Sequence, residues 1–440
     1  MISTRFKKLD GHMQEVLKKG SSALLIAILG SVFGFAVSFS LAHILGAEGV
    51  GIYFLAFSVA TIVATIGRLG FDNTVVRFIA SSASVGNWKD VAFVHDYATR
   101  VALIVTSFLA VILFFSAEWL ATIVFDKPLM EYPLMLVAVA VVPLAIAMIQ
   151  AESLRGLKCI PASQWIKMVI VSVVTLILLY PFVQAWGVNG AIASFMVASL
   201  VSMIGACFLW KRSYQQKTLS IDTENRATLS SSSLFQSSWP LFTVVLTGLV
   251  ILQSGTVLLG IWGSSEDVGI FNIANRLASL LLFPLMALIS ILTPKFSEMH
   301  KAGDIDGLRK LSQKSSKILL LFAVPIALLV GLNAEWILSI FGTGFKEGAF
   351  ILQILLIGVV VNAATGAVTE QLMMTGNESL VRRNMLLSAG VQLLLSIILI
   401  PEYGMIGAAC ATVFGGVLWN LAMVLTVKNI LGYWPISIGK

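Results

Sequence analysis

Apolar runs of about twenty residues alternate along this chain with short polar breaks. The first is "GSSALLIAILGSVFGFAVSFSLA", residues 20–42. An α-helix needs roughly 20 residues to cross a hydrocarbon core of about 30 Å, so each run predicts one membrane-crossing helix. A membrane barrel would show segments of about 10 residues with alternating polarity, and these are absent. Breaks at Gly, Pro and charged clusters divide the pattern into twelve helices, centred near residues 32, 60, 104, 142, 173, 199, 249, 281, 324, 360, 391 and 418. The pattern predicts an all-α membrane protein, and the even number of helices puts both termini on one side.

Composition agrees, with 58% of the 440 residues hydrophobic, 12% charged and a mean hydropathy of +0.93. The start, "MISTRFKKLDGHMQEVLKKG", is basic like a signal peptide. The apolar run after it is longer than a signal's roughly 7–15 residues and lacks a clear cleavage site, so a tail before a retained first helix is expected. A net charge of +7 could suggest nucleic acid, but its distribution argues otherwise. With a cytoplasmic N-terminus, 26 of the 29 Lys and Arg residues fall on the inner side, Lys127 and Lys346 fall outside, and Arg276 falls within a helix. That bias predicts a multi-pass membrane protein with both termini cytoplasmic and no nucleic-acid partner. Cys159, Cys207 and Cys410 stand far apart and fit neither a metal site nor a disulfide framework.

The chain also repeats itself. "EGVGIYFLAFSVA" at residues 48–60 lies over "EDVGIFNIANRLA" at 266–278, an offset of 218, with Glu, Val, Gly, Ile and two Ala matching. "YPFVQAWGVNGA" at 180–191 lies over "IPEYGMIGA" at 400–408, the prolines offset by 220 and the glycines by 217. Six helices thus appear twice in one orientation. Such parallel repeats predict two six-helix bundles facing one another across a central cavity. The expected parts are a cytoplasmic tail at 1–20, a first bundle at 21–210, a polar Ser-rich cytoplasmic linker at 211–238, a second bundle at 239–430, and a cytoplasmic tail at 431–440.

"LAHILGAEGVGIYFLAFSVATIVATIGRLGFDNTVVRFIA" resembles the first-to-third-helix signature of bacterial O-antigen-type polysaccharide flippases, members of the multidrug/oligosaccharidyl-lipid/polysaccharide exporter superfamily. "SSEDVGIFNIANRLASLLLFPLMALISILTPKFSEMHKAGD" resembles the matching signature of their second half. The resemblance implies a V-shaped pair of bundles that carries an undecaprenyl-diphosphate-linked oligosaccharide between leaflets by alternating access, for O-antigen, capsule or exopolysaccharide assembly. Membrane lipid, and a polymerase and chain-length regulator of the same pathway, are the partners it implies. Relatives often hold an acidic residue in the seventh helix, where "ILQSGTVLLG" offers Gln253 and Ser254.

A doubly anionic head group calls for buried positive charge, which makes Arg276, with Asn272 and Asn275 beside it, a candidate substrate site. The competing reading is an arginine that snorkels to the outer surface or pairs structurally. Arg77 could meet the incoming diphosphate or simply belong to the positive-inside set. Arg68 and Asp72, four apart on a helix face, suggest an ion pair that latches or anchors a helix end. Glu152 and Arg155, with Glu370 at the related position of the second half, could pair or take protons during closure, or sit as solvated helix-end charges. His43 could couple to protons or anchor at the interface. Pro143, Pro284 and Pro325 interrupt membrane helices.

No P-loop, H-E-x-x-H or Cys cluster is present, so neither a metal nor a cofactor is expected, and the chain is read as a transporter rather than an enzyme. A glycan polymerase or ligase would need catalytic groups in an outside loop, and those loops hold two basic residues. A drug or lipid II exporter of the same superfamily is the alternative. Residues 21–47 and 239–265 carry no carboxylate, as a drug/cation antiporter would require, and lipid II flippases usually resemble a fourteen-helix chain.

Overall fold

The computed structural model describes residues 11–218 and 229–436; residues 1–10 of the first tail, 219–228 of the linker and 437–440 of the last tail lie outside them. All secondary structure among the described residues is helical. The principal helices are α1 (Gly11–Gly67), α2 (Phe71–Ser84), α3 (Trp88–Phe115), α4 (Glu131–Gly156), α5 (Val171–Thr218), α6 (Ser231–Trp262), α7 (Ser265–Leu280), α8 (Phe283–Lys301), α9 (Ile305–Leu332), α10 (Ala349–Thr365), α11 (Val368–Met374) and α12 (Glu378–Leu431).

α1, α5 and α12 contain 57, 48 and 54 residues. Straight helices of that length would run roughly 70–85 Å, more than twice the hydrocarbon thickness. Each is instead interrupted at one glycine, Gly46, Gly187 or Gly404, with φ between 51° and 67°. Past the second and third of these the chain folds back on itself. A Cβ on Gly190 would lie 1.9 Å from the Phe182 carbonyl, and one on Gly407 would lie 2.3 Å from that of Leu399. Residues eight apart in a straight helix would be separated by about 12 Å.

Counting both arms of these three, the five undivided spans and the broken pair α7–α8, twelve membrane crossings stand among the described residues. The α7–α8 break follows from Pro284, which has no N–H to continue a helix and starts the next one well. Asn87, Ser264 and Asp304 cap α3, α7 and α9 through their side chains.

The repeat extends to backbone conformation. Left-handed residues recur at Gly86 and Gly303, at Lys158 and Gly376, and at Gly187 and Gly404, offsets of 217 or 218. Compact packing divides the chain into two units, the first Met1–Leu41 with Val59–Val245, the second Ala42–Ser58 with Leu246–Lys440. The first is organised on α4, buried along most of its length, with Phe71, Ile79, Val91, Ile149, Leu154 and Trp210 packed together. In the second, Leu292, Phe296, Leu308, Leu372 and Val424 form the main core.

Residues 42–58 join the second unit through a close helix crossing. A Cβ on Gly51 would come within 1.6 Å of the Ser265 carbonyl oxygen, and one on Gly269 within 2.0 Å of that of Ala47. Residues 51 and 269, and 47 and 265, are both related by the 218 offset. The crossing is therefore a self-complementary contact between two copies of one helix, possible because neither carries a side chain at the contact.

Candidate functional site

The candidate site of the second unit surrounds α7. A reciprocal capping box opens this helix: the Asp267 N–H donates to Ser264 Oγ at 3.0 Å, and the Ser264 N–H to Asp267 Oδ2 at 2.9 Å. Three turns on, Arg276 is half-buried, its guanidinium carbon 4.7 Å from the centre of the Phe54 ring. A cation over a desolvated ring gains about 2 kcal/mol, which offsets much of the roughly 2.5–3.5 kcal/mol that a charge costs at membrane depth. Phe54 and its neighbour Tyr53 are both buried.

The flanking asparagines differ. Asn272 is occupied by packing: its amide donates to the Val268 carbonyl at 2.9 Å and its oxygen accepts from Thr256 Oγ1 at 3.2 Å. Its side chain ties α6 to α7. Asn275 lines a cavity of about 550 Å3, together with Asn362, Glu370, Gln392, Trp419 and Asn420. Arg276, one residue and about 100° further around the helix, is not on that wall. Asn420 donates to the Gly416 carbonyl and accepts from Thr365. Gln392 donates to the Ile251 carbonyl at 2.9 Å and to Ser254 Oγ at 3.2 Å, so a neutral amide bridges the seventh and eleventh crossings.

Below the cavity, residues 432–436 pack onto the unit. Gln371 donates to Tyr433 Oη, Ser312 Oγ lies 3.3 Å from Gln371 Oε1, and Gln313 donates to the Trp434 carbonyl. Burial pushes the Tyr433 hydroxyl up to about 12, the bond from Gln371 opposing it. The tail expected at 431–440 is therefore docked through residue 436. Its signal was "YWP", aromatic residues too apolar for a free end.

The first unit holds a separate charged cluster. Arg68 and Asp72 pair at 2.8 Å, and the same guanidinium donates to the Ala64 carbonyl and to Thr65. They do not share one continuous helix, because the chain breaks at Leu69 and Gly70, both with positive φ, and Asp72 opens α2. Glu152 is buried in α4 between Lys167 at 2.5 Å and Arg155 at 3.1 Å, which replaces the solvated reading of this group. Arg155 also reaches Asn73 at 3.4 Å. Lys167 was not singled out from sequence. It reaches Glu152 from a π-helical turn, Trp165–Ile170, whose extra residue has no local sequence signature.

Removing one partner of a buried pair leaves an uncompensated charge. Lys167→Ala should therefore destabilise the protein toward the lower end of about 3–5 kcal/mol, since Arg155 remains. Thermal melting should show Lys167→Ala and Glu152→Gln combined to be less destabilised than Lys167→Ala alone.

Arg77 is exposed, its guanidinium over Phe78 at 5.9 Å, and His43 is exposed. The structure thus places Asn275 and Glu370 on one wall, Arg276 on an aromatic pair in the same unit, and Arg68, Asp72, Arg77, Glu152 and Arg155 in the other unit.

Helices that cross a membrane twelve times, a duplicated six-helix plan and polar groups at membrane depth define a multi-pass membrane protein of transporter fold. The profile of the family described as "Polysaccharide biosynthesis protein" matches residues 16–300, and that of MatE matches 240–398. The chain belongs to the polysaccharide biosynthesis protein family. It is 23% identical to stage V sporulation protein B of Bacillus subtilis over 97% of this chain and 85% of that protein. It is 21% identical to the probable low-salt glycan biosynthesis flippase Agl15 of Haloferax volcanii over 51% of this chain and 47% of that one. Its fold is similar to that of the lipid II flippase MurJ in an inward closed conformation, with a TM-score of 0.74, 13% identity and coverage of 92% and 87% of the two chains.

Proposed function

We propose that this protein is a flippase that moves undecaprenyl-diphosphate-linked oligosaccharides from the inner to the outer leaflet of a bacterial inner membrane. Alternating access of the two duplicated halves, 21–210 and 239–430, about a central cavity is the proposed mechanism, with the termini cytoplasmic. The observation that carries the reading is Arg276, a cation held at membrane depth by an aromatic ring in a member of a polysaccharide biosynthesis family. A guanidinium presents two parallel donors, which match phosphate oxygens in geometry as well as charge.

Arg276 is assigned to the diphosphate and Asn275, on the neighbouring cavity wall, to the first sugar. Arg77 is assigned to initial capture at the membrane surface, and the Arg68–Asp72 and Glu152–Arg155 pairs to holding helix ends during closure. His43, exposed, is retained as a place where transport could couple to protons. A polymerase and a chain-length regulator would act on the exported glycan.

Deleting the gene should make the lipid-linked glycan accumulate on the inner leaflet, with surface glycan lost. Normal surface glycan in the deletion strain would overturn the reading. For orientation, a reporter inserted after Ser230 should be cytoplasmic, because most Lys and Arg residues share that side. A periplasmic signal would invert the topology.

A further inference from the structure

Duplication allows one half of the molecule to serve as a reference for the other. α4 ends two residues before Lys158, with φ 61°, and α11 ends two residues before Gly376, with φ 79°, so the two helix ends correspond at an offset of 218. In that register Glu152 corresponds to Glu370. The two carboxylates have opposite surroundings. Glu152 is held by Arg155 and Lys167. The residue corresponding to Arg155 is Met373, and Lys167 falls at 385–387, Met385, Leu386 and Leu387, whichever of the offsets 218 or 220 is used. The second half keeps the acid and lacks both cations.

Among the described residues, Glu370 is also the only ionisable one lining the cavity of about 550 Å3. Asn275, Asn362 and Thr369, on the same wall, make no side-chain hydrogen bond among the described residues. α8, α12 and, through Ser312, α9 lie against the helix that carries the acid. α8 carries Lys295, Glu298, His300 and Lys301; α12 carries Glu378, Arg382, Arg383, Glu402 and Lys428; α9 carries Asp306, Arg309, Lys310, Lys314 and Lys317. None forms an ion pair with Glu370, and Tyr433 is engaged with the adjacent Gln371 instead.

A carboxylate in a largely apolar cavity without a cation has three ways to be neutralised: a bound metal ion, an organic cation or a proton. A metal ion needs several oxygens converging on it, whereas a single carboxylate with neutral amides meets the needs of a proton. We infer that Glu370 is an exchangeable proton-binding site, taking a hydrogen ion from water in the second-unit cavity while its counterpart Glu152 stays permanently paired.

Burial pushes the Glu370 carboxyl above the ordinary glutamate range, with its own backbone N–H opposing; the group follows the span Thr343–Thr365, beyond the break at Gly366. The sign for stability follows from linkage. The folded state binds the proton more tightly than the unfolded state does, so stability should fall as pH rises from the ordinary value through the raised one.

Within the flippase reading, this site would let proton binding change the charge of the cavity during transport. The test needs no glycan, so its failure and the failure of that reading can be told apart. Infrared titration of the purified full-length protein should show a protonated-carboxyl band persisting above the ordinary glutamate range. Glu370→Gln should remove the band and Glu152→Gln should keep it, and Glu370→Asp, in case the amide variant folds poorly, should retain a titrating band. Exchanging sodium for choline in the buffer should leave the band unchanged. No such band, a band surviving Glu370→Gln, or its displacement by sodium would overturn the assignment.

Discussion

Arg276→Ala is expected to leave the protein in the membrane at near-normal amounts and to abolish surface glycan in a complementation assay. Removing the side chain takes a favourable cation from the face of Phe54. That loss is set against the cost of holding a charge at membrane depth, so the protein should still reach the membrane. Binding of a diphosphate would lose up to two charge-assisted hydrogen bonds worth about 1.5–3 kcal/mol each, on the order of 10- to 100-fold in affinity for each bond lost. Arg276→Lys separates charge from geometry: partial export is expected, because an ammonium keeps the charge and loses the planar fork. Membrane protein levels measured beside glycan display distinguish this outcome from misfolding. Full display with Arg276→Ala would remove the residue from the site.

The second large effect is expected at the glycine crossing. Gly51→Ala sets a methyl 1.6 Å from the Ser265 carbonyl oxygen, and Gly269→Ala sets one 2.0 Å from that of Ala47. Backbone cannot yield as a flexible side chain does, so the two helices must separate. Overpacking of this kind costs about 1–3 kcal/mol, and each single variant should melt earlier by that amount in detergent. Both methyls demand the same separation, so the double variant should cost less than the sum of the singles. Gly390→Ala is the control, since a Cβ there meets nothing within 4 Å. In a helix interior that change should be neutral or stabilising by up to about 1 kcal/mol. Equal melting of Gly51→Ala and Gly390→Ala would refute the close crossing.

Much of the fold was legible because the membrane imposes a length on each helix. Hydropathy gave the twelve crossings, and the 218 offset found in "EGVGIYFLAFSVA" and "EDVGIFNIANRLA" reappears in the left-handed pairs at 86 and 303, 158 and 376, and 187 and 404. The site was less legible, because side-chain direction depends on rotation about the helix axis. Asn272, Asn275 and Arg276 looked like one group, yet the helix sends them to a packing bond, a cavity and an aromatic ring. Glu152 looked solvated because Lys167, its partner, lies fifteen residues away across a turn and a π-helical bulge. Arg68 and Asp72 do pair as their spacing suggested, although the backbone between them turns left-handed at Leu69. The docking of residues 432–436 against Ser312, Gln313 and Gln371 depends on contacts more than sixty residues apart, for which one sequence carries no pattern.

The central claim concerns movement of a lipid-linked anion across a bilayer, and it can be measured without other pathway components. The purified protein would be reconstituted into liposomes carrying a fluorescent undecaprenyl-diphosphate glycan, and the exposure of label on the outer leaflet to a membrane-impermeant quencher followed over time. Wild-type protein should make the inner-leaflet pool accessible, and Arg276→Ala, incorporated at equal density, should return the rate to that of empty liposomes. Exposure no faster than in empty liposomes with wild-type protein, or equal rates for the two proteins, would contradict the account.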